Sequence, residues 1–252
     1  RALSNGFHFH HMPYSVHPQH DQAWETAAFQ GLSKAEIDQE YRALWVRRGG
    51  LVYPTFDEAQ HTCDPFPIPS NWPVVRGLDF GGANPTAACL IAFDPVNGRA
   101  YIFDEYKQPG TLIRDHAKTI KKMGNAVEPS LGTISDHDSQ HRIEYQDQGI
   151  HTRAAIKDWD SGYDCVNKQL MEGADNRPGL LVFSNCRETI REFMTYSYAE
   201  HDAARRNPEE KPLKLNDHLM DAIRYCLRTT MGLRMPWKPL RSIVRQDRPG
   251  GL

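Results

Sequence analysis

The sequence predicts an α/β fold in which helices flank a mixed β-sheet. Three strand-like segments follow one another at residues 74–80, 86–93 and 100–107, and helix-like and strand-like segments then alternate. A strongly amphipathic helix pattern at residues 216–230 is the last clear element. This order of elements is typical of a mixed sheet with helices packed on it.

The first three strands are predicted to form an antiparallel meander. The segment TAACLIAF at residues 86–93 is almost continuously apolar, as expected of a strand that is buried on both faces. Asn97-Gly98 is a strong hairpin signal between this strand and AYIFDEYK at residues 100–107. The turn GGANP separates the first two strands, so consecutive strands are expected to be neighbours.

Helices and strands alternate after the meander. Helices are predicted over residues 112–123, 142–148, 163–171 and 186–198, and strands over residues 133–136, 151–156 and 180–183. Gly124 and Gly149 follow the first two helices and are typical residues at helix C-termini. Residues 157–164, KDWDSGYD, are predicted to form a loop.

Composition divides the chain into three predicted segments. Residues 1–72 are rich in His, Gln and Pro, and their closely spaced prolines predict a stiff linker or the remnant of another domain. Residues 73–232 hold the predicted sheet and its helices, and residues 233–252 are predicted to be a tail. The chain begins with Arg, so we interpret it as a fragment of a longer protein.

Charge and cysteine content limit the function classes. The formal net charge is −2, so any DNA contact must come from a local basic patch rather than from a global field. The five cysteines are scattered and form no CxxC pair, which predicts a reducing compartment and argues against structural zinc. No apolar run approaches the roughly 18 residues that a transmembrane helix needs.

Three aspartates lie at the ends of three separate elements. Asp79 ends the strand at 74–80, Asp136 ends the strand at 133–136, and Asp221 lies in the last helix. Burying a carboxylate costs free energy unless a cation balances it. Mg²⁺ is held by one or two carboxylates, and two such ions can cleave a phosphodiester. The pattern therefore predicts a metal-dependent nuclease.

The two strand-end acids also have a simpler interpretation. Asp79 precedes two glycines, so it is either a ligand beside a sharp turn or a cap of that turn. Asp136 is either a ligand or part of an Asx turn that ends its strand. Asp138 would point to the same side as Asp136, and we prefer Asp136 because it is closer to the apolar strand.

The last helix offers similar alternatives. Asp217 and Asp221 are four residues apart and share a helix face. Asn216 would be the N-cap, Asp217 would favour the helix dipole, and Asp221 would pair with Arg224 in a purely structural interpretation. His218 is a candidate proton shuttle or ligand, although a single histidine is more often structural.

Basic residues cluster just before this helix. Arg205, Arg206, Lys211 and Lys214 are predicted to hold the DNA backbone beside the acids, and Lys157 is a further candidate phosphate contact. The alternative is solvated surface charge, since two glutamates lie in the same loop.

Four segments together resemble a known family. RGLDFGGANPTA (76–87), YIFDEY (101–106), ISDHDS (134–139) and NDHLMDAIRY (216–225) are similar to the C-terminal nuclease domain of tailed-bacteriophage large terminases. The last segment is the most specific, since DHxxDAxRY is typical of that family. The resemblance covers roughly residues 7–230 and includes the chain that leaves the terminase ATPase domain. No Walker motif is present in this sequence, so the ATPase domain is absent from it.

The resemblance implies a fold and a site. It implies a ribonuclease H-like fold that binds two Mg²⁺ or Mn²⁺ ions. The implied catalytic acids are Asp79, Asp136 and Asp221, with Asp217 and His218 at accompanying family positions. Asp79 would bridge the two metals because it comes from the central strand, and Asp136 and Asp221 would each hold one metal.

The resemblance also implies a biological setting. Its members cut concatemeric double-stranded viral DNA during genome packaging in the host bacterial cytoplasm. The implied partners are DNA, a small terminase subunit and the portal protein, with no membrane. Two other classes stay open: a resolvase or transposase that uses the same acids, and a docking module in which the acids are only caps.

Replacing Arg205, Arg206, Lys211 and Lys214 together by neutral residues is expected to weaken DNA binding and to flatten its salt dependence. Each lost phosphate contact should reduce the log–log slope of affinity against salt by about one unit. A salt titration of DNA affinity measures this slope. An unchanged slope would assign the loop to ordinary solvated surface.

Overall fold

The computed structural model describes residues 24, 28, 50–81, 84–171, 173, 175–198, 212–215 and 217–231. The chain divides into two compact units. One comprises residues 1–54 and 197–212, and the other comprises residues 55–196 and 213–252. In the first unit, Leu51 pairs with Ser197 and Tyr198 pairs with Pro212 in isolated antiparallel bridges.

The described part of the second unit contains a seven-stranded mixed sheet in the order β1-β7-β4-β3-β2-β5-β6. Its strands are β1 Thr62–Cys63, β2 Val74–Asp79, β3 Thr86–Asp94, β4 Arg99–Gln108, β5 Thr133–Ser135, β6 Thr152–Ala154 and β7 Leu180–Phe183. Strands β2, β3 and β4 pair antiparallel, which confirms the predicted meander. The other four pairings are parallel, so the mixed α/β sheet is also confirmed.

Helices pack against this sheet. They are α1 Glu58–His61, α2 Ile113–Ile120, α3 Met123–Ala126, α4 Ser139–Asp147, α5 Trp159–Leu170, α6 Arg187–Thr195 and α7 His218–Met231. Gly124 and Asn125 inside α3 have positive φ angles, so this segment is a kinked turn rather than a regular helix. None of the described helices is long and apolar enough to cross a bilayer.

Two predicted helix starts were wrong because a capping aspartate was not used as a start signal. Helix α4 begins at Ser139 rather than at residue 142, since the Asp138 side chain accepts from the His141 amide at 2.9 Å. Helix α5 begins at Trp159 rather than at residue 163, since the Asp158 side chain accepts from the Ser161 amide at 2.9 Å. The predicted loop at 157–164 is therefore mostly helix.

The sheet also extends into the predicted linker. Thr62 and Cys63 pair in parallel with Val182 and Phe183, so the sheet begins before the predicted domain start at 73. The boundaries at residues 72 and 232 stay predictions, and the predicted tail at 233–252 lies outside the described residues.

Helix α7 lies directly on β2 and β3. The middle strand of the seven is β3, so the expectation that Asp79 comes from the central strand was wrong: β2 is its neighbour, between β3 and β5. The core face of α7 is fully buried, and the helix packs on β2, β3 and β5 as well as on α5. A Cβ at Gly77 would lie 2.4 Å from the Ala222 carbonyl oxygen and 2.9 Å from the Cys226 Sγ. The helix can approach this closely only because residue 77 has no side chain. Asp79 is two residues further along β2 and so points to the same side of the sheet as position 77.

Gly77→Ala is expected to destabilise the fold, because the new methyl group collides with the backbone of α7. Overpacking of this kind costs about 1–3 kcal/mol of unfolding free energy. Urea denaturation measures the loss. Gly50→Ala is the matched control, since a Cβ at that position meets nothing within 4 Å. Equal stability of the two variants would show that α7 does not depend on close contact with β2.

Candidate active site

A cavity of about 750 Å³ opens where strand β2 ends and helix α7 begins. Its wall contains every predicted catalytic or metal-ligating residue: Asp79, Asp136, Asp217, Asp221 and His218. Cationic side chains line the same cavity: Lys107, Lys157, Arg191, Lys214 and Arg224. The structure thus brings the candidate acids together from three elements that are far apart in sequence, and their roles stay proposals.

Asp79 is more enclosed than Asp136. It is 8% exposed, and its Oδ2 lies 2.9 Å from the Nδ1 of His218. Burial raises the pKa of Asp79 to about 6, with smaller contributions from Asp221 and Asp136 in the same direction, while His218 opposes the rise. The hydrogen bond that His218 donates to Asp79 raises the pKa of His218. When Asp79 is ionised it only accepts, so Nδ1 then carries the shared proton.

Asp136 and Asp138 have different surroundings although they are two residues apart. Asp136 follows β5, lines the cavity and forms an ion pair with Lys157. Asp138 caps α4 through the His141 amide, and this hydrogen bond lowers the pKa of Asp138. Asp138 therefore has a structural role as a helix cap. Asp136, which we preferred as the candidate ligand, lines the cavity, and its role as a ligand stays a prediction.

The surroundings of Asp221 fit both interpretations of the sequence, as a candidate ligand and as the ion-pair partner of Arg224. Its carboxylate lines the cavity, and its Oδ1 accepts from Nη2 of Arg224 at 2.8 Å. The guanidinium of Arg224 also lies over the ring of Trp159, 4.4 Å from its centroid, and over the ring of Tyr225 at 4.9 Å. The ion pair that the structural interpretation expected is therefore present inside the cavity, and the two interpretations do not exclude each other.

Asp217 takes the N-cap position of α7. Its carbonyl oxygen accepts from the Asp221 amide at 2.8 Å, which is the first hydrogen bond of the helix. Asn216, the predicted N-cap, lies outside the described residues. The Asp217 side chain faces the cavity, and burial raises the pKa of Asp217 with a further contribution from Asp221.

The cap itself comes from Glu192 on α6, a residue that the sequence analysis missed. Glu192 Oε2 accepts from the amides of Leu219 and Met220 at 2.8 and 3.2 Å. Glu192 Oε1 accepts from Lys107 Nζ at 2.7 Å. A signal was available, because Glu192 lies in the buried stripe of α6 with Thr189 and Phe193.

The predicted DNA contacts are only partly visible. Lys157 lines the cavity and holds Asp136, and Lys214 lines the cavity with its Nζ 6.0 Å from the centroid of Trp159. Arg205, Arg206 and Lys211 lie outside the described residues. Lys107 and Arg191 are cavity-lining cations that the sequence analysis did not single out.

The donor chemistry of the cavity suits a hard divalent cation. Carboxylate oxygens are the ligands that Mg²⁺ and Mn²⁺ prefer, and four aspartate carboxylates share this wall. Three of them have cationic or histidine partners: Asp79 with His218, Asp136 with Lys157, and Asp221 with Arg224. In the part of the chain that the structure describes, no three His, Cys, Asp or Glu side chains are already arranged as a metal cage.

Comparison with known proteins supports the resemblance. No protein-family model matches the chain. The curated large terminase subunit of Escherichia phage T5 is 24% identical over 224 residues, which is 85% of this chain and 50% of the phage protein. The chain therefore spans about half the length of this curated relative.

Solved structures show the same similarity. The large terminase of a thermophilic bacteriophage superposes with a TM-score of 0.62 at 25% identity, over 84% of this chain and 52% of that chain. The P22 large terminase nuclease domain has a TM-score of 0.61 at 21% identity, over 73% of this chain and 94% of that domain. The resemblance to the large terminase nuclease domain and the ribonuclease H-like fold that it implies are thereby confirmed.

The raised pKa of Asp79 predicts how metal-free stability depends on pH. The folded state holds this proton more tightly than the unfolded state does, so the stabilising contribution is present at low pH and is lost as pH rises from about 4 to about 6. The pKa of His218 is also raised in the folded state. Its contribution to stability is complete at pH values below the pKa of the unfolded state, and it is lost as pH rises through the pKa of the folded state. Both effects reduce stability with rising pH.

The unfolding free energy of Asp79→Asn minus that of the wild type should therefore increase between pH 4 and pH 8, by on the order of 2–3 kcal/mol. Urea denaturation in a chelator at both pH values measures the difference. Asp138→Asn is the control with the opposite sign, since the pKa of Asp138 is lowered and its contribution is lost as pH falls. A pH-independent difference for Asp79→Asn would show that Asp79 is ionised at no cost.

Proposed function

We propose that this chain is the metal-dependent endonuclease domain of a phage large terminase, which cuts concatemeric double-stranded viral DNA during genome packaging. The observation that carries the proposal is the convergence of four aspartates and His218 on one cavity, in a chain that is similar to large terminases over most of its length. The chain spans about half of the T5 relative. Its role in genome packaging is therefore part of the proposal.

Asp79, Asp136 and Asp221 are the residues that would hold Mg²⁺ or Mn²⁺, with Asp217 as a further oxygen donor. When bound, two such ions supply an activated water and stabilise the leaving 3′ oxygen of the scissile phosphodiester. Strand β2 lies beside β5, and α7 packs on β2, so Asp79 is flanked by the elements that carry Asp136 and Asp221. This placement supports Asp79 as the shared ligand.

His218 would work through its contact with Asp79. The hydrogen bond at 2.9 Å fixes the orientation of the imidazole ring at the cavity wall. Its second ring nitrogen is then the atom that takes or returns a proton near the scissile phosphate. The raised pKa of His218 keeps the ring able to bind a proton close to neutral pH.

The cationic wall would hold the DNA backbone. Lys157 and Lys214 are exposed side chains on the cavity, where phosphate oxygens of the substrate must pass. Lys157 binds Asp136 in the present arrangement and would exchange this carboxylate for a phosphate when DNA enters. Arg205, Arg206 and Lys211, which lie outside the described residues, stay proposed DNA contacts.

The biological partners follow from the terminase assignment. They would be double-stranded DNA, the small terminase subunit and the portal protein, in the host bacterial cytoplasm beside the procapsid. A resolvase or transposase would use the same acids, but the similarity to the large terminases of phage T5 and of the thermophilic phage favours the terminase. A docking module would leave the convergence of four aspartates unexplained.

Single substitutions of the acids test the proposal. Asp79→Asn, Asp136→Asn and Asp221→Asn are each expected to reduce Mn²⁺-dependent nicking of supercoiled plasmid by on the order of 100-fold or more, since even outer-shell changes at metal sites cost about 10–100-fold. Asn keeps the side-chain shape, so circular dichroism should show an intact fold.

Asp138→Asn is the matched control, because Asp138 lies in the same SDHDS segment and caps a helix. It should retain nicking close to the wild-type rate. A wild-type rate for any of the three acid variants at saturating Mn²⁺ would remove that residue from the site. Full activity of all three would overturn the nuclease proposal.

A further inference from the structure

The N-terminus of α7 is capped by a side chain from another helix. Asp217 is the N-cap residue by its backbone, and an aspartate there normally binds the second or third helical amide with its own carboxylate. Here these two amides, of Leu219 and Met220, donate to Glu192 Oε2 at 2.8 and 3.2 Å. Glu192 therefore takes the capping role that the local sequence would assign to Asp217.

Glu192 is also tied to the cavity wall. It is completely buried, and its second oxygen accepts from Lys107 Nζ at 2.7 Å. A buried carboxylate persists only when its oxygens are satisfied, and this one is satisfied by two amides and one ammonium group. One side chain thus joins the start of α7 to a cation on the cavity wall.

Helix α6, which carries Glu192, is anchored to the sheet in the same manner. Glu105 on β4 accepts from the amides of Glu188 and Thr189 at 2.9 and 2.7 Å, which are in the first turn of α6. Two successive glutamate caps therefore connect β4 to α6 and α6 to α7. The start of α7 is thus linked to the sheet through these two contacts.

We propose that Glu192 is a positioning residue of the active site, because it occupies the α7 amides and so leaves the Asp217 carboxylate to the cavity. The positive end of a helix attracts the nearest carboxylate. Without Glu192, Asp217 is the residue placed to turn onto the free amides and leave the wall. His218 and Asp221 begin the same helix, so their distance from Asp79 depends on the same contact. This inference rests on the proposed function.

A matched pair of double variants isolates the cap from the ion pair. Glu192→Gln with Lys107→Met removes both charges but keeps an oxygen that accepts from the two amides. Glu192→Leu with Lys107→Met removes both charges and the acceptor. The two variants share the same loss of Lys107, so only the cap differs between them.

Mn²⁺ affinity, measured by titration calorimetry, and the Mn²⁺ concentration for half-maximal plasmid nicking are the two readouts. The Leu variant should require at least about tenfold more Mn²⁺ than the Gln variant in both. Equal Mn²⁺ dependence of the two variants would overturn the positioning role. If the Leu variant does not fold, Glu192→Asp replaces it, because the shorter side chain keeps the charge and loses reach. An unchanged Mn²⁺ requirement in Glu192→Asp would overturn the inference equally.

The wild-type protein separates this inference from the proposed function. A wild type that binds Mn²⁺ but does not nick DNA would contradict the nuclease, while the affinity comparison of the two variants would still decide the role of Glu192. A wild type that binds no Mn²⁺ would overturn both.

Discussion

Four carboxylates on the wall of one cavity repel one another, and the structure around them is arranged to tolerate that repulsion. Asp79 shows the cost most directly, since burial and the neighbouring acids raise its pKa to about 6. His218, Lys157 and Arg224 each bind one of the acids. In the proposed function, a divalent cation would take the place of these partners.

The acids meet because α7 lies so close to β2. Gly77 permits the contact, and the start of the helix then falls beside the end of the strand. The first amides of α7 have no partner within the helix and are a second electrostatic feature, because they attract any nearby carboxylate. Glu192 on α6 accepts from two of these amides, while the Asp217 carboxylate faces the cavity.

Much of this arrangement was predictable from the sequence. The meander follows from apolar runs and one Asn-Gly turn. Asp79 and Asp136 were singled out by their positions at strand ends, and Asp217 and Asp221 by their shared face in the last helix. The starts of α4 and α5 were missed, since Asp138 and Asp158 are short-range caps that resemble loop residues in an acidic segment. Glu192 was missed for a different reason. Its partners are 27 and 28 residues away, so no local spacing reveals the contact. Whether a buried charge finds a partner far along the chain depends on how helices and strands pack together. A single sequence does not show that packing.

The proposed function depends on the binding of divalent cations in this cavity through Asp79 and its neighbours. A crystal structure of the protein soaked in Mn²⁺, with anomalous diffraction recorded, tests it most directly. We expect anomalous peaks in the cavity, with oxygens of Asp79 and of at least one of Asp136 and Asp221 within about 2.0–2.6 Å of a metal. Anomalous peaks only outside the cavity, with Asp79 still bonded to His218 and Asp136 to Lys157, would contradict it.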